Sequence, residues 1–160
     1  MITLEDVVEG IENQDEHCHY YYHVRSKSVV RITETEVHYA KSGKDLTHIP
    51  KAYQEGVLFA RELIKNPVGA FIELPLKSDI NGYRFMERFA MSLQEEKVTH
   101  ALWKVLETHG GLTGFTDKIK EYGIEQKWKT YKKMRYEELA RGWCKTHHIE
   151  YTKTDKKGDA

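Results

Sequence analysis

Apolar residues recur with helical spacing at the start of the chain and then give way to strand-like runs. The first stripe, with spacing i, i+3, i+4, i+7, consists of Leu4, Val7, Val8 and Ile11. Thr3 directly precedes this stripe and is a suitable N-cap. Two β-prone runs follow, at residues 17–24 and 29–33, joined by a short polar link. The pattern predicts a helix followed by an N-terminal β-hairpin.

The middle of the chain predicts a further helix and a third strand. Residues 34–48 are ambiguous, although their first part fits a short helix closed by Gly43. Pro50 suits the first turn of a longer helix, which Asn66–Pro67 would stop. The apolar stripe of that helix is Tyr53, Val57, Ala60 and Ile64. Residues 70–75 then predict a short strand that ends at Pro75.

From Ser78 onward the pattern is helical throughout. Ser92 with Glu95 resembles a capping box that starts a new helix, and Gly110 and Gly123 are expected to interrupt or end helices. The last helix is predicted over residues 124–147. Core stripes expected in this half include Phe85, Met86, Phe89, Leu93, Leu102, Leu112, Phe115, Ile119, Tyr122, Trp128, Tyr131 and Trp143.

These elements predict an α+β fold. A small antiparallel three-stranded sheet, made of the N-terminal hairpin and the strand near 70–75, would be covered by a predominantly helical C-terminal half, because so small a sheet is not stable alone. We expect a single domain over residues 1–151 and a polar, disordered tail at 152–160.

Composition narrows the class of protein. No stretch approaches the ~20 consecutive apolar residues of a membrane span, so no membrane partner is expected. The acidic N-terminal sequence does not resemble an export signal, and the two cysteines, Cys18 and Cys144, lack paired spacing. A cytoplasmic location with free thiols is therefore predicted.

Formal net charge is zero, but the charges are segregated. Acidic residues dominate 1–20 and basic residues dominate 118–135. The neutral total argues against strong attraction to nucleic acid, while a local basic patch leaves binding through the helix at 118–135 as an alternative. The candidate basic binding face is Lys127, Lys129, Lys132, Lys133 and Arg135.

Two strings stand out in the second half, FIELP (71–75) and DINGYRFMERF (79–89). They are followed by a dispersed set of positions: Gly110, Phe115, Asp117, Trp128, Tyr131, Tyr136, Glu138, Ala140, Trp143 and Ile149. Through these residues the chain resembles the bacterial uncharacterised protein family 0158, with a weaker match toward the N-terminus. The family has no assigned activity, so the resemblance bears on fold and not on function.

The chain departs from this family's pattern near Phe115. The family usually has adjacent arginines just before that position, where this chain has Thr113 and Gly114. Lys132 also stands where the family has an arginine. If the arginines bind a ligand in the family, the resemblance implies that this chain has lost or altered that role.

Histidines suggest two candidate metal sites. His17, His19 and His23 would share one face of a strand, with His38 or His48 as a further ligand, and Cys144 and His148 would be i, i+4 neighbours on the last helix. Neither set has an established metal-ligand spacing, so half-exposed filler and helix-end histidines are the favoured interpretation. No metal and no cofactor is predicted.

Glu87 lies at the edge of an apolar face and is expected to need a partner, for instance Lys132. With Asp117 these residues form a candidate polar cluster. The sequence contains no Gly-x-Ser-x-Gly elbow and no phosphate-binding glycine loop, so nucleophilic catalysis has no support and no catalytic residue is assigned.

The prediction is therefore a non-catalytic binding or accessory domain that docks a macromolecular partner, a protein, through its helical half. An enzyme or metal-binding protein that uses Glu87 or the histidine clusters is the alternative. The oligomeric state is left open.

Overall fold

Helices and strands alternate in the first half of the chain, and helices follow one another from Tyr83 to Thr146. The computed structural model describes residues 1–65, 68–79, 82–108 and 111–153. The strands are β1 (Ile2–Thr3), β2 (Cys18–His23), β3 (Ser28–Thr33), β4 (Phe71–Glu73) and β5 (Tyr151–Thr152). The helices are α1 (Leu4–Glu12), α2 (Glu34–Ser42), α3 (Lys51–Lys65), α4 (Tyr83–Ser92), α5 (Glu96–Glu107), α6 (Gly111–Glu121) and α7 (Glu125–Thr146).

Some predicted features fall outside the described residues. These are the helix stop at Asn66–Pro67, the family positions Ile80 and Gly110, and residues 154–160 of the tail. The mixed helix-and-strand class, the three-stranded antiparallel sheet and the mostly helical C-terminal half are as predicted.

The chain divides into two compact units, Met1–Leu76 with Leu139–Ala160, and Lys77–Glu138. Within the first unit, α1, α2 and α3 pack against β3. A single domain over 1–151, with its sheet covered by the C-terminal half, stays a prediction.

β2 is the central strand of the three-stranded sheet, whose order is β3-β2-β4. Tyr21 lies opposite Val30 on one side and Glu73 on the other, and both pairings are antiparallel. The strands differ in their bounds from the predicted runs at 17–24, 29–33 and 70–75. A separate parallel pair, β1 with β5, places Ile2 opposite Tyr151. No local pattern signals this pair, because its members stand at opposite ends of the sequence.

Local capping defines the first two helices. Thr3 Oγ1 accepts from the Asp6 amide at 3.0 Å, and the Asp6 carboxylate accepts from the Thr3 amide at 2.8 Å. The predicted Thr3 cap is confirmed as a capping box, which satisfies two amides that the helix cannot. α2 is capped in the same way by Thr33, and Gly43 ends it in the left-handed conformation at φ 70°, as predicted.

The stripe predicted on α3 is only partly buried. Val57 and Ala60 are fully buried, whereas Tyr53 and Ile64 at the two ends are exposed. Helical spacing therefore identified the buried face of α3 but not how far along the helix the core extends.

α2 and α3 meet at a buried carboxylate. Glu36 Oε1 accepts from both the amide and the hydroxyl of Thr33, each at 2.8 Å, so its charge is met by two donors. Gly56 of α3 lies directly against this carboxylate, and an added Cβ at Gly56 would overlap it. The absence of a side chain at Gly56 therefore lets the two helices approach.

Aromatic rings hold the second unit together. The Trp128 ring lies 4.9 Å from Phe89, 5.0 Å from Phe115 and 5.3 Å from Phe85, measured between centroids. Tyr131 stacks on Phe85 at 5.2 Å. The prediction that these residues join helices is confirmed within this unit.

Two details of the second unit differ from prediction. Glu95 is the N-cap of α5 but makes no side-chain cap hydrogen bond, and the Ser92 hydroxyl donates to the Phe89 carbonyl instead, so the predicted capping box is wrong. The Thr99 hydroxyl ties α5 to α4 by donating to the Ala90 carbonyl at 2.9 Å. Leu112, expected in the core, is half-exposed.

Gly56→Ala is expected to lower the free energy of unfolding by about 1–3 kcal/mol, because the new Cβ must displace the Glu36 carboxylate from its donors. Gly142→Ala, on α7 with nothing near the added Cβ, is the matched control and is expected to stabilise by about 0.5–1 kcal/mol. Urea denaturation of both variants measures the difference. Equal effects at the two positions would contradict the role given to Gly56.

Candidate functional site

An open cleft runs along α4 and α5 of the second unit, with a volume of about 890 Å³. Three clefts of the first unit measure about 250, 390 and 460 Å³. The open cleft along α4 and α5 is lined by Met91, Leu93, Gln94, Glu96, Lys97, Thr99, His100, Trp103 and Glu107. We call this cleft the α4–α5 groove.

The groove exists because α5 buries only its opposite face. Val98, Leu102 and Leu106 are buried, so the stripe Glu96, His100, Trp103 and Glu107 points away from them. Met91, near the end of α4, leaves 67% of its surface exposed although it is a large apolar residue. Trp103 is half-buried on the groove floor.

Charge is unevenly placed along the groove. Glu96 and Glu107 stand at the two ends of the α5 stripe, while Trp103 and His100 lie between them. Lys97 is the single lysine of the lining, so acidic groups outnumber basic ones. The result is an apolar centre with a carboxylate at each end, one of which has Lys97 beside it. Sequence reasoning missed this groove, because Met91 and Trp103 lie outside the predicted apolar stripes and no local pattern shows that the two residues line one cleft.

In the part of the chain that the structure describes, no hydrogen bond or ion pair joins the members of the candidate polar cluster. Glu87 is half-buried on α4 and Asp117 is exposed on α6. Lys132 instead lies over the Trp128 ring, with its Nζ 5.4 Å from the ring centroid. Among the described residues, no ion pair links Glu87 to Lys132, so a shared site of these three side chains stays a prediction.

The candidate basic face is present on α7, but part of its charge is already engaged. Lys127, Lys129 and Lys133 are exposed. Arg135 donates to Glu138 at 2.6 Å, and Lys132 covers Trp128. On the neighbouring α6, the Glu121 carboxylate raises the pKa of Lys118. Because of these contacts, fewer basic side chains are available to bind the phosphate backbone of a nucleic acid than the sequence alone indicates.

Gly114, where the family that the sequence resembles usually has an arginine, lies in a closely packed contact. A Cβ added there would lie 2.8 Å from Val105 Cγ1, which is closer than carbon atoms pack. An arginine at this position would need α5 and α6 to separate or Val105 to move. Gly114 thus matches the close approach of these helices.

The three N-terminal histidines occupy different environments. His17 precedes β2, is exposed and contacts Glu34 at 2.6 Å. His19 is exposed, whereas His23 is only 3% exposed and contacts both Ser26 and Glu62. Sequence reasoning missed these last contacts, because Glu62 lies 39 positions from His23.

Cys144 and His148 are not neighbours on one helical face, because α7 ends at Thr146. The Ile149 amide donates to the Cys144 carbonyl at 2.8 Å and the His148 amide donates to Lys145, which is a Schellman ending with His148 left-handed at φ 56°. Cys144 is fully buried and His148 is exposed. Across the described ranges, no group of three or more His, Cys, Asp or Glu side chains is placed to hold a metal ion.

Burial should make the Cys144 thiol unreactive. It raises the pKa of Cys144 from 9.0 to about 11, so at pH 8 the folded thiol is ionised about a hundredfold less than an unperturbed one. In a Cys18→Ala variant, we expect Cys144 to react with a disulfide reagent at least ~100-fold more slowly when the protein is folded than when it is unfolded in denaturant. Similar rates in the two states would contradict the burial of this residue.

Comparison with known proteins gives no family assignment: no family model, no curated protein and no solved structure matches the chain. In the part of the chain that the structure describes, the helices are too short or too polar to cross a lipid bilayer.

Proposed function

We propose that this protein is a small binding module that holds an amphipathic helix of a partner protein in the α4–α5 groove. The observation that carries the proposal is the exposure of Met91 beside Trp103 in a cleft of about 890 Å³. Exposed apolar groups gathered in a groove with a polar rim are typical of a protein-binding surface.

The shape of the groove favours a helical occupant. The stripe from Glu96 to Glu107 follows the axis of α5 for about 16 Å, at 1.5 Å per residue, which is about three turns of a partner helix. A partner helix buries apolar side chains at i, i+3, i+4 and i+7 in such a groove. Methionine adapts its shape to such side chains because it is unbranched and polarizable.

Charge specifies the chemistry of the partner. Because Glu96 and Glu107 stand at the ends of the stripe, a helix with Lys or Arg flanking its apolar residues complements the groove. An acidic helix would place like charges together at both ends. The proposed partner is therefore a basic amphipathic helix.

The proposal includes three expectations from the sequence. They are a relation to family 0158, a cytoplasmic location and docking through the helical half of the chain. The groove supports the last of these, since it is built from α4 and α5.

A peptide titration tests the proposal. A synthetic helix with Leu at i, i+3, i+4, i+7 and Lys on its flanks is expected to shift Trp fluorescence to shorter wavelength. Trp103 should dominate this signal, because Trp128 and Trp143 are already buried. Met91→Lys should weaken binding at least about tenfold, or ~1.4 kcal/mol, through lost apolar contact and charge repulsion.

Met134→Lys is the matched control, because Met134 is also an exposed methionine of the second unit but lies outside the groove. It should bind like the parent chain, and the same peptide with Glu in place of Lys should bind more weakly. Unchanged binding by Met91→Lys would exclude the groove. Concentration-dependent dimerisation abolished by Met91→Lys would assign it to a second copy instead.

A further inference from the structure

A line of hydrogen-bonded side chains connects α3 to the turn between β2 and β3. Glu62 on α3 contacts His23 Nε2 through both carboxylate oxygens, at 3.0 and 3.1 Å. His23 Nδ1 contacts Ser26 Oγ at 2.7 Å, and Ser26 Oγ contacts Ser28 Oγ at 2.6 Å. Ser26 is exposed in the turn, whereas His23 is buried beneath it.

The hydrogen bonds determine where the proton of His23 lies. The backbone amide of Ser26 points at His23 Nδ1 from 3.4 Å, and an amide can only donate. Nδ1 is therefore an acceptor, so the Ser26 hydroxyl also donates its proton to Nδ1. It follows that Nε2 carries the ring proton and donates it to Glu62.

The ring of His23 is held in this orientation by packing as well. Its centroid lies 5.1 Å from that of Phe59 and 4.9 Å from that of Phe71. A buried imidazole that contacts two phenyl rings and is hydrogen-bonded at both nitrogens cannot turn freely, so the acceptor nitrogen stays aimed at Ser26. This preorganisation is what a general base needs in order to take a proton from a hydroxyl.

We propose that Ser26 is an activated nucleophile that accepts an acyl group, with His23 as general base and Glu62 as its positioning residue. A hydroxyl hydrogen-bonded to an imidazole, which a carboxylate orients, is the arrangement that activates serine in unrelated hydrolases. The site lies in the first unit and is independent of the α4–α5 groove. The sequence shows no motif for it, since Glu62 is distant along the chain.

The reactants of the proposed reaction are an ester and water. Ser26 Oγ bonds to the carbonyl carbon of the ester while its proton passes to His23 Nδ1, and the bond to the leaving oxygen breaks. The leaving oxygen departs as an anion, and the proton on Nδ1 passes to solvent water. In the second half, a water oxygen bonds to the acyl carbon, and its proton passes through Nδ1 to Ser26 Oγ as the acyl–Oγ bond breaks.

The surroundings of Ser26 indicate the class of substrate. The turn is open, so a small acyl group fits without a shaped pocket. Arg25 and Lys27 flank Ser26 and are both exposed, which favours an ester whose leaving group departs as an anion. An aryl ester such as p-nitrophenyl acetate meets both requirements.

Acetylation by p-nitrophenyl acetate tests the inference. The parent chain should release p-nitrophenolate and carry an acetyl group on Ser26, located by peptide mass mapping. Ser26→Ala should react only at the background rate. Glu62→Gln should slow acetylation of Ser26 at least about tenfold, since an amide does not stabilise the imidazolium as a carboxylate does.

Ser42→Ala is the matched control, because Ser42 is an exposed serine whose hydroxyl donates to the Tyr39 carbonyl and not to a base. It should react like the parent chain. Labelling with a fluorophosphonate, again mapped on the parent chain, gives a result that does not depend on any variant folding. Label found only on lysines, or equal rates for Ser26→Ala and the parent chain, would overturn the proposal.

Discussion

The packing of Trp128 against Phe85, Phe89 and Phe115 is the contact on which the second unit depends. It joins α4, α6 and α7 through rings that are each nearly or fully buried. Burial of such large aromatic surfaces is among the strongest contributions that a small unit can gain. This packing buries one face of α4 and leaves Met91 exposed, and Met91 together with the outward stripe of α5 lines the groove.

A comparable constraint acts in the first unit through the central strand β2. Tyr22 lies edge-on to Trp143, whose indole nitrogen donates to the Glu73 carbonyl of β4 at 3.0 Å. The next residue, His23, is bonded to Glu62 of α3. Adjacent positions of one strand therefore anchor the C-terminal part of α7 and the last turn of α3. Among the described residues, no buried side-chain nitrogen or oxygen lacks a hydrogen-bond partner.

Two acidic groups, the buried Glu36 and the half-buried Glu62, show how similar chemistry can have different roles. Glu36 is satisfied by Thr33, three residues away, and serves the start of a helix. Glu62 is satisfied by His23 across the fold, and the line of hydrogen bonds continues to an exposed hydroxyl. The hydrogen bonds of Glu36 stay within the cap of α2, whereas those of Glu62 and His23 lead to the exposed Ser26 hydroxyl. Only the second arrangement therefore places a base beside an accessible nucleophile.

Features whose cause is local could be predicted from the sequence. The Thr3 cap, the left-handed Gly43 and the buried stripe of α1 depend on neighbours within about one or two helical turns, and all were found where expected. The Ser92–Glu95 box failed, although its spacing was right, because the Ser92 hydroxyl donates to the carbonyl of Phe89 instead. Sequence spacing thus identifies possible hydrogen-bond partners but does not determine which of them is used.

The pairing of Ile2 with Tyr151, the contact of His23 with Glu62 and the exposure of Met91 were decided by the tertiary structure alone. Each depends on residues brought together, or left apart, by the packing of distant segments. Hydrophobic periodicity says which face of a helix prefers to be buried, but not how much partner surface is available to bury it. The α4–α5 groove and the Ser26 site both depend on how distant segments pack, which the sequence pattern does not specify.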